Sequence, residues 1–198
     1  MKIGPSHPCA SRAAVLALLS LAYAAPAVCA DESGVQAIWK EKKVTFTYMG
    51  FTAKYSCDGL RDRMKEVLLQ LGARSDLKVY ARGCSNGFGR PTPFPGVSGT
   101  INVLEPLGDS APAPDAPPVA AHWSNVEIRP KGDPLKAAGE CELTEQIKES
   151  ILPLFSTRNV VYSSTCVPNQ LQVGGTKLSA DVLIADPQPG KPPGVKPR

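Results

Sequence analysis

The chain has 198 residues, of which 22 are Lys or Arg and 18 are Asp or Glu, so its formal net charge is +4. This charge is too small and too mixed for a protein dedicated to binding nucleic acid. A hydrophobic content of 42% excludes a wholly disordered chain. Only two histidines are present, which leaves little material for a histidine-based metal or acid–base site.

Residues 1–30 have the pattern of a secretory signal peptide. Lys2 and Arg12 make a basic start without an acid, and an apolar core of fifteen residues follows. That core is shorter than the ~20 residues that a membrane-spanning helix needs. Val28 and Ala30 supply the small residues that a signal peptidase reads. We therefore expect cleavage after Ala30, which removes 30 of the 198 residues and leaves 168.

An alternative for the same segment is a lipoprotein that is acylated on Cys29. A lipobox has an aliphatic residue three positions before the cysteine and a small residue directly before it. Pro26 and Val28 occupy those two positions, so the match is poor. The sequence thus predicts an exported protein, periplasmic or secreted, with no membrane span in its mature part.

Two segments of the mature part are similar to each other and are bracketed by cysteines. The first runs from Cys57 to Cys84 and the second from Cys141 to Cys166. They align with a one-residue gap after the first cysteine and another before the last. The matched pairs are Leu60 with Leu143, Met64 with Ile147, Lys65-Glu66 with Lys148-Glu149, Leu68 with Ile151, and Leu71 with Leu154. This pattern predicts an internal duplication.

Each copy begins with an amphipathic helix, because its apolar residues recur with a period of 3.6. The apolar positions are Leu60, Met64, Val67, Leu68 and Leu71 in the first copy, and Leu143, Ile147, Ile151 and Leu154 in the second. Ser56 is a candidate N-cap for the first helix, and Gly72 is a natural stop. Pro153 must kink or end the second helix, because proline lacks the N–H that the helix needs.

Strands flank each helix, since apolar and polar residues alternate there. In the first copy the alternating positions are Val44, Phe46 and Tyr48 before the helix, Leu77, Val79 and Ala81 after it, and 100–104 further on. In the second copy, Trp123, Asn125 and Glu127 alternate with Val126 and Ile128 before the helix. The strands after it are 160–162 and the positions Leu178, Ala180, Val182 and Ile184. Each copy therefore has the order β-α-β-β.

The predicted fold is α+β, with two tandem β-α-β-β units that form a two-layer sandwich. We expect both helices on one face of a mostly antiparallel sheet. The units are residues 31–107 and 121–186. A Pro/Ala-rich linker (108–120) joins them, and a disordered Pro-rich tail (187–198) follows. In each unit the third strand is a candidate for the place between the first two, as in ferredoxin-like halves.

Four cysteines remain after cleavage, and an even count in an exported chain predicts disulfides. A strand that returns along a helix ends beside the start of that helix. We therefore choose Cys57–Cys84 and Cys141–Cys166 among the three possible connectivities. A four-cysteine zinc site is the competing interpretation, but the sequence has no C-x-x-C spacing and export leads to an oxidising compartment.

No residue pattern predicts a catalytic, cofactor or metal site. His122 is the one histidine left after cleavage, and it is expected on a strand edge or surface. The segment 82–90 mixes arginine, glycine and phenylalanine as RNA-binding segments do, but Asn86-Gly87 is also a favoured hairpin turn.

The acids on the two helices are Asp58, Asp62, Glu66, Glu142, Glu145 and Glu149. They are interpreted as partners of the helix dipole and as solvated residues, although a carboxylate pair for acid–base chemistry is an alternative.

The run Tyr55-Ser56-Cys57-Asp58-Gly59-Leu60, then Leu71-Gly72-Ala73-Arg74 and the closing Cys84, resembles a group of uncharacterised bacterial secreted proteins. The likeness covers mainly residues 44–105. It implies export and the cysteine pairing, and it implies no activity and no catalytic residue.

Two classes of function follow from these observations. The first is a non-enzymatic exported module that binds a protein or a small ligand of the cell envelope, or has a structural role there, without a cofactor and without nucleic acid. The second is a hydrolase that acts on cell-envelope material through carboxylates at the helix starts. A carboxylate with a perturbed pKa in a cleft would favour the hydrolase, and solvated acids would favour the binding module.

Overall fold

A computed structural model of the chain describes residues 34–51, 55–84, 94–108, 117–129, 140–167 and 175–187. Within these ranges the strands are β1 (Val35–Thr47), β2 (Lys78–Arg82), β3 (Gly96–Pro106), β4 (Val119–Ile128), β5 (Thr157–Ser164) and β6 (Thr176–Ala185). The helices are α1 (Cys57–Gln70) and α2 (Cys141–Ser150), and a 3₁₀ turn (Leu152–Leu154) follows α2. The predicted signal peptide, most of the predicted linker and nearly all of the predicted tail lie outside the described residues.

The six strands form one antiparallel sheet with the order β2-β3-β1-β4-β6-β5. The elements follow the order β-α-β-β in residues 34–108, the first half, and again in residues 117–187, the second half. In each half the third strand lies between the other two. The predicted α+β class and the antiparallel sheet are thus confirmed, while the duplication itself stays a prediction.

The two halves meet along a short stretch of β1 and β4. β1 pairs with β3 over the whole of 37–47, but it pairs with β4 only at Val35–Ala37, opposite 119–121. β4 therefore begins at Val119, inside the stretch that the composition assigns to a linker, because Val119 is paired with Ala37. A junction of three residue pairs is too short to hold the halves together without further packing.

The ends of both helices follow from local chemistry. The Ser56 side chain accepts a hydrogen bond from the Gly59 amide (3.1 Å), which confirms it as the N-cap of α1. After α1 the chain turns at Gly72, whose φ is +92°. Helix α2 ends at Ser150. Pro153 lacks the N–H that would continue the α-helix, and it lies in the 3₁₀ turn that follows.

One large hydrophobic core lies between the sheet and both helices, so the helices share one face of the sheet. It contains the apolar stripes of α1 and α2 together with alternating residues of β1, β3, β4 and β6. Its largest fully buried side chains are Tyr48, Leu60, Met64, Leu68, Leu71, Ile101, Ile128, Leu143, Ile147, Ile151, Leu178 and Val44. Because both halves contribute to this core, burial of apolar surface couples them.

A second, smaller core occupies the other face of the sheet, at the junction of β1 and β4. Ala37, Leu104, Ala121 and Leu183 are buried there, and Val35, Trp39, Val119, Trp123 and Ala185 pack around them. The two central strands begin with the same pattern, Val-x-Ala-x-Trp, at Val35–Trp39 and Val119–Trp123. The register pairs each Val with the Ala of the other strand, so this small core is nearly symmetric.

We expect Gly72→Ala to lower the free energy of unfolding by about 2 kcal/mol, because the left-handed conformation opposes a side chain. A Cβ at this position would also lie 2.8 Å from the carbonyl oxygen of Leu183 on β6. Gly108→Ala is the matched control, since a Cβ there meets nothing within 4 Å. Chemical denaturation of both variants measures the difference. Equal stability of the two variants would contradict this tight approach of the α1 end to β6.

Candidate functional site

The starts of both helices and the end of β1 lie together, and two disulfides stabilise this end of the molecule. Cys57 is bonded to Cys84 and Cys141 to Cys166, each with a Cα–Cα distance of 6.1 Å. These are the pairs expected from the element order. Each bridge joins the first residue of a helix to a residue just beyond β2 or β5. The backbone around the helix starts is therefore covalently restrained in both halves.

A buried arginine lies at the contact between the two helices. The Nη2 atom of Arg63 donates to Glu140 Oε2 (3.0 Å) and to the carbonyl oxygen of Arg129 (2.8 Å), and its Nη1 donates to Glu66 (3.1 Å). Arg63 is 8% exposed. Since Arg129 and Glu140 belong to the second half, a cation of the first half is neutralised by an anion of the second.

Tyr55 lies beside this ion pair and packs edge to face against Tyr48, with ring centroids 5.0 Å apart. Its buried hydroxyl has no hydrogen-bond partner among the described residues. Burial raises the pKa of Tyr55, and the negative charge of Glu140 raises it further. A phenol with a raised pKa stays protonated at neutral pH, so Tyr55 is unsuited to act as a nucleophile or a general base.

The segment that follows β1 is held against α2 by side chains of that helix. Glu142 Oε2 accepts hydrogen bonds from the Phe51 amide (2.8 Å) and the Tyr48 hydroxyl (3.2 Å). Gln146 accepts from the Met49 amide and donates to the Met49 carbonyl, both at 3.0 Å. The backbone of residues 48–51 therefore forms hydrogen bonds with α2 side chains in place of those it would form with a neighbouring strand.

Three large apolar side chains are exposed on this segment and on the loop next to it. Met49 is 65% exposed, Phe51 78% and Phe94 60%. The loops are adjacent because the Tyr48 amide donates to the Pro95 carbonyl (2.9 Å). We call Met49, Phe51 and Phe94 the apolar tip. Its first two members are fixed by the hydrogen bonds to α2, so the tip is an ordered feature that leaves apolar surface in water.

The structure does not bring the predicted helix acids together as a catalytic pair. Asp58 and Asp62 both pair with Arg61, at 2.7 and 2.8 Å, and this contact lowers the pKa of Asp62. Glu66 pairs with Arg63, and Glu142 holds the segment after β1. The remaining two, Glu145 and Glu149, are exposed. Four of the six acids thus have structural partners.

His122 is on β4, at the surface, as the sequence predicts. Its Nδ1 lies 2.5 Å from a carboxylate oxygen of Asp186, and both side chains are exposed. Of the glycine-rich run that begins at Arg82, residues 85–90 lie outside the described part of the chain. Within that part, no cluster of three or more His, Cys, Asp or Glu side chains is arranged to hold a metal ion.

Comparison of the chain with protein-family models, with curated proteins and with solved structures finds no match. The resemblance to uncharacterised secreted proteins therefore stays a prediction. Among the described residues, no helix combines the length and the apolar character that crossing a membrane requires.

Sequence reasoning missed Arg63 and the apolar tip. A signal for Arg63 was present, because it is three residues after Leu60 and four before Val67, both in the apolar stripe. The signal for the tip was weaker. Met49 lies two residues after β1 and continues the outward-facing positions of that strand, such as Thr45. No pattern in the sequence indicates that α2 holds the backbone at this point, since Gln146 is 97 residues from Met49.

We expect Gln146→Ala to accelerate hydrogen exchange at the Met49 amide by roughly tenfold, because that amide loses its acceptor. Global stability should fall by less than about 1 kcal/mol, since the contact is exposed. Gln70→Ala, on the exposed end of α1, is the matched control and should leave this amide unchanged. If Met49 exchanges at the same rate in both variants, Gln146 does not hold the segment.

Proposed function

We propose that this protein is an exported, non-enzymatic module that binds a protein partner through the apolar tip of Met49, Phe51 and Phe94. The proposal rests on one observation: hydrogen bonds fix the backbone of this segment, while its apolar side chains are exposed. Glu142 and Gln146 fix the backbone, while Met49 and Phe51 remain 65% and 78% exposed. Exposed apolar side chains on a preorganised backbone can bind at a low cost in conformational entropy.

A protein is a better partner for this surface than a small polar ligand. Large apolar anchors contribute most of their binding energy when they enter a desolvated pocket of a partner. Two phenylalanines and a methionine offer that kind of anchor, and methionine adapts to irregular pockets. The hydrogen-bonding groups of the segment's backbone are already used by α2. The tip therefore offers apolar contact rather than polar recognition.

Export is part of the proposal, because the predicted signal peptide and the disulfides agree with each other. Two disulfides in a chain of this size are typical of oxidising compartments. That chemistry supports a periplasmic or secreted location. The partner is accordingly sought among proteins of the cell envelope or the extracellular medium.

The hydrolase alternative receives less support from the residues that it requires. Glu142 is engaged by an amide and a phenol, and the pKa of Asp62 is lowered by Arg61. A general acid for glycoside hydrolysis needs the opposite direction, a carboxyl group whose pKa is raised. Acids with such structural partners agree better with a binding module.

The experiment is affinity capture from an envelope extract with oxidised bait protein, followed by measurement of affinity for each captured partner after purification. We expect Met49→Ser with Phe51→Ser to weaken that affinity by about 100-fold, because two anchors are lost. Val161→Ser is the matched control, since Val161 is a 54% exposed apolar residue on β5. Equal affinities of the tip variant and the control variant would refute the proposed site.

A further inference from the structure

The open face of the first half, which is the face without helices, carries a regular array of polar and basic side chains. The register of β1, β3 and β2 aligns three rows across it: Lys43–Thr100–Lys78, Thr45–Ser98–Tyr80 and Thr47–Gly96–Arg82. The neighbouring positions in each strand, such as Val44, Val97 and Val79, are buried in the main core. Because side chains alternate along a strand, the three rows face away from the helices.

This array is basic and contains no acid. Lys43, Lys78 and Arg82 are exposed, and none of them forms a salt bridge among the described residues. The nearest acid on the same face of β1 is Glu41, which belongs to the next row beside Asn102. The array therefore contains three cations and no anion, and the nearest acids, Glu41 and Asp76, lie beside Asn102 in the next row.

The open face of the second half shows that this charge is not a general property of the sheet. Its Arg158 lies 3.4 Å from Asp181, and its Lys177 lies 3.8 Å from Glu127. Two asparagines, Asn125 and Asn159, also donate to Asp181. Cations there have anionic partners within the protein, whereas Lys43, Lys78 and Arg82 form no ion pair among the described residues.

The middle strand of the array has the smallest side chains, so the face forms a shallow trough along β3. Gly96, Ser98 and Thr100 make its floor. A Cβ on Gly96 would lie 3.1 Å from the Arg82 side chain and 3.3 Å from the Thr47 hydroxyl, so the side chains of β2 and β1 close in over the glycine. Neighbouring strands are ~4.8 Å apart, which sets the two walls ~10 Å apart at Cα level.

We propose that this trough binds a linear anionic polysaccharide. Lys43 on one wall and Lys78 and Arg82 on the other match acidic groups along an extended chain. The hydroxyls of Ser98 and Thr100 are suited to sugar hydroxyls. Tyr80, which is 62% exposed, offers an aromatic surface for a sugar ring. The residues and the ligand of this trough are different from those of the apolar tip and its protein partner.

A nucleic acid is a less suitable occupant of the same surface. Proteins that bind single strands stack successive bases on several aromatic side chains. The three rows contain one aromatic residue, Tyr80, and four residues with aliphatic hydroxyls, Thr45, Thr47, Ser98 and Thr100. An array with more hydroxyls than rings fits a chain of sugars better than a chain of bases.

The test is titration of the oxidised protein with polygalacturonate, with neutral dextran and with an oligothymidylate of matched charge, at low and at moderate salt. We expect polygalacturonate to bind, dextran not to bind, and oligothymidylate to bind more weakly. Contact of three cations with the polyanion should make the logarithm of the affinity fall by roughly two for each tenfold rise in salt. Tyr80→Ala should weaken polygalacturonate binding as well, which a purely ionic contact would not predict.

The decisive variant replaces Lys43, Lys78 and Arg82 with glutamine, and we expect it to bind polygalacturonate about 30-fold more weakly. Its matched control replaces Lys40, Lys42 and Lys177 with glutamine, which gives the same net charge but removes cations that pair with Glu105 and Glu127. Equal loss in both variants would overturn the proposal, because binding would then depend on net charge alone. Tighter binding of oligothymidylate, or no binding of polygalacturonate at low salt, would also overturn it. Circular dichroism checks that both variants fold.

Discussion

The buried guanidinium of Arg63 is the contact on which the joining of the two halves depends. It belongs to α1, but the carboxylate of Glu140 and the carbonyl of Arg129, which accept its hydrogen bonds, belong to the second half. A buried cation without such partners would cost several kcal/mol. Packing of α1 on the sheet therefore requires the start of α2 to be in place. From that start, Glu142 and Gln146 reach back to the segment after β1, so the apolar tip also depends on the union of the halves.

The sheet alone would join the halves weakly, since β1 and β4 pair over only three residues. Packing on both faces compensates for this short junction. On the helical face the two halves share one core, and Gly72 allows the end of α1 to approach the Leu183 carbonyl closely. On the other face, Trp39 and Trp123 cover the small core, and each is stacked by an arginine, Arg74 at 5.5 Å and Arg158 at 4.5 Å.

The amphipathic period of α1 and α2 and the alternation in the strands were sufficient to predict the element order, the helical face and the ends at Gly72 and Pro153. The first part of β1 escaped prediction, because Val35, Ala37 and Trp39 face the small core while the later residues of the strand face the large one. A change of buried face along one strand breaks the simple alternation that sequence reasoning uses. Contacts such as Arg63 with Glu140 join residues 77 apart, and no local pattern specifies such a partner.

Chemical denaturation of two single-tryptophan variants tests most directly whether the halves form one cooperative unit. The chain has two tryptophans, one in each half, so Trp123→Phe leaves Trp39 to report on the first half and Trp39→Phe leaves Trp123 to report on the second. In each oxidised variant the fluorescence transition should coincide with the transition measured by circular dichroism. Adding Arg63→Met should shift both tryptophan transitions to lower denaturant together. If only the Trp39 transition moves while the Trp123 transition stays in place, the halves unfold independently and Arg63 does not join them.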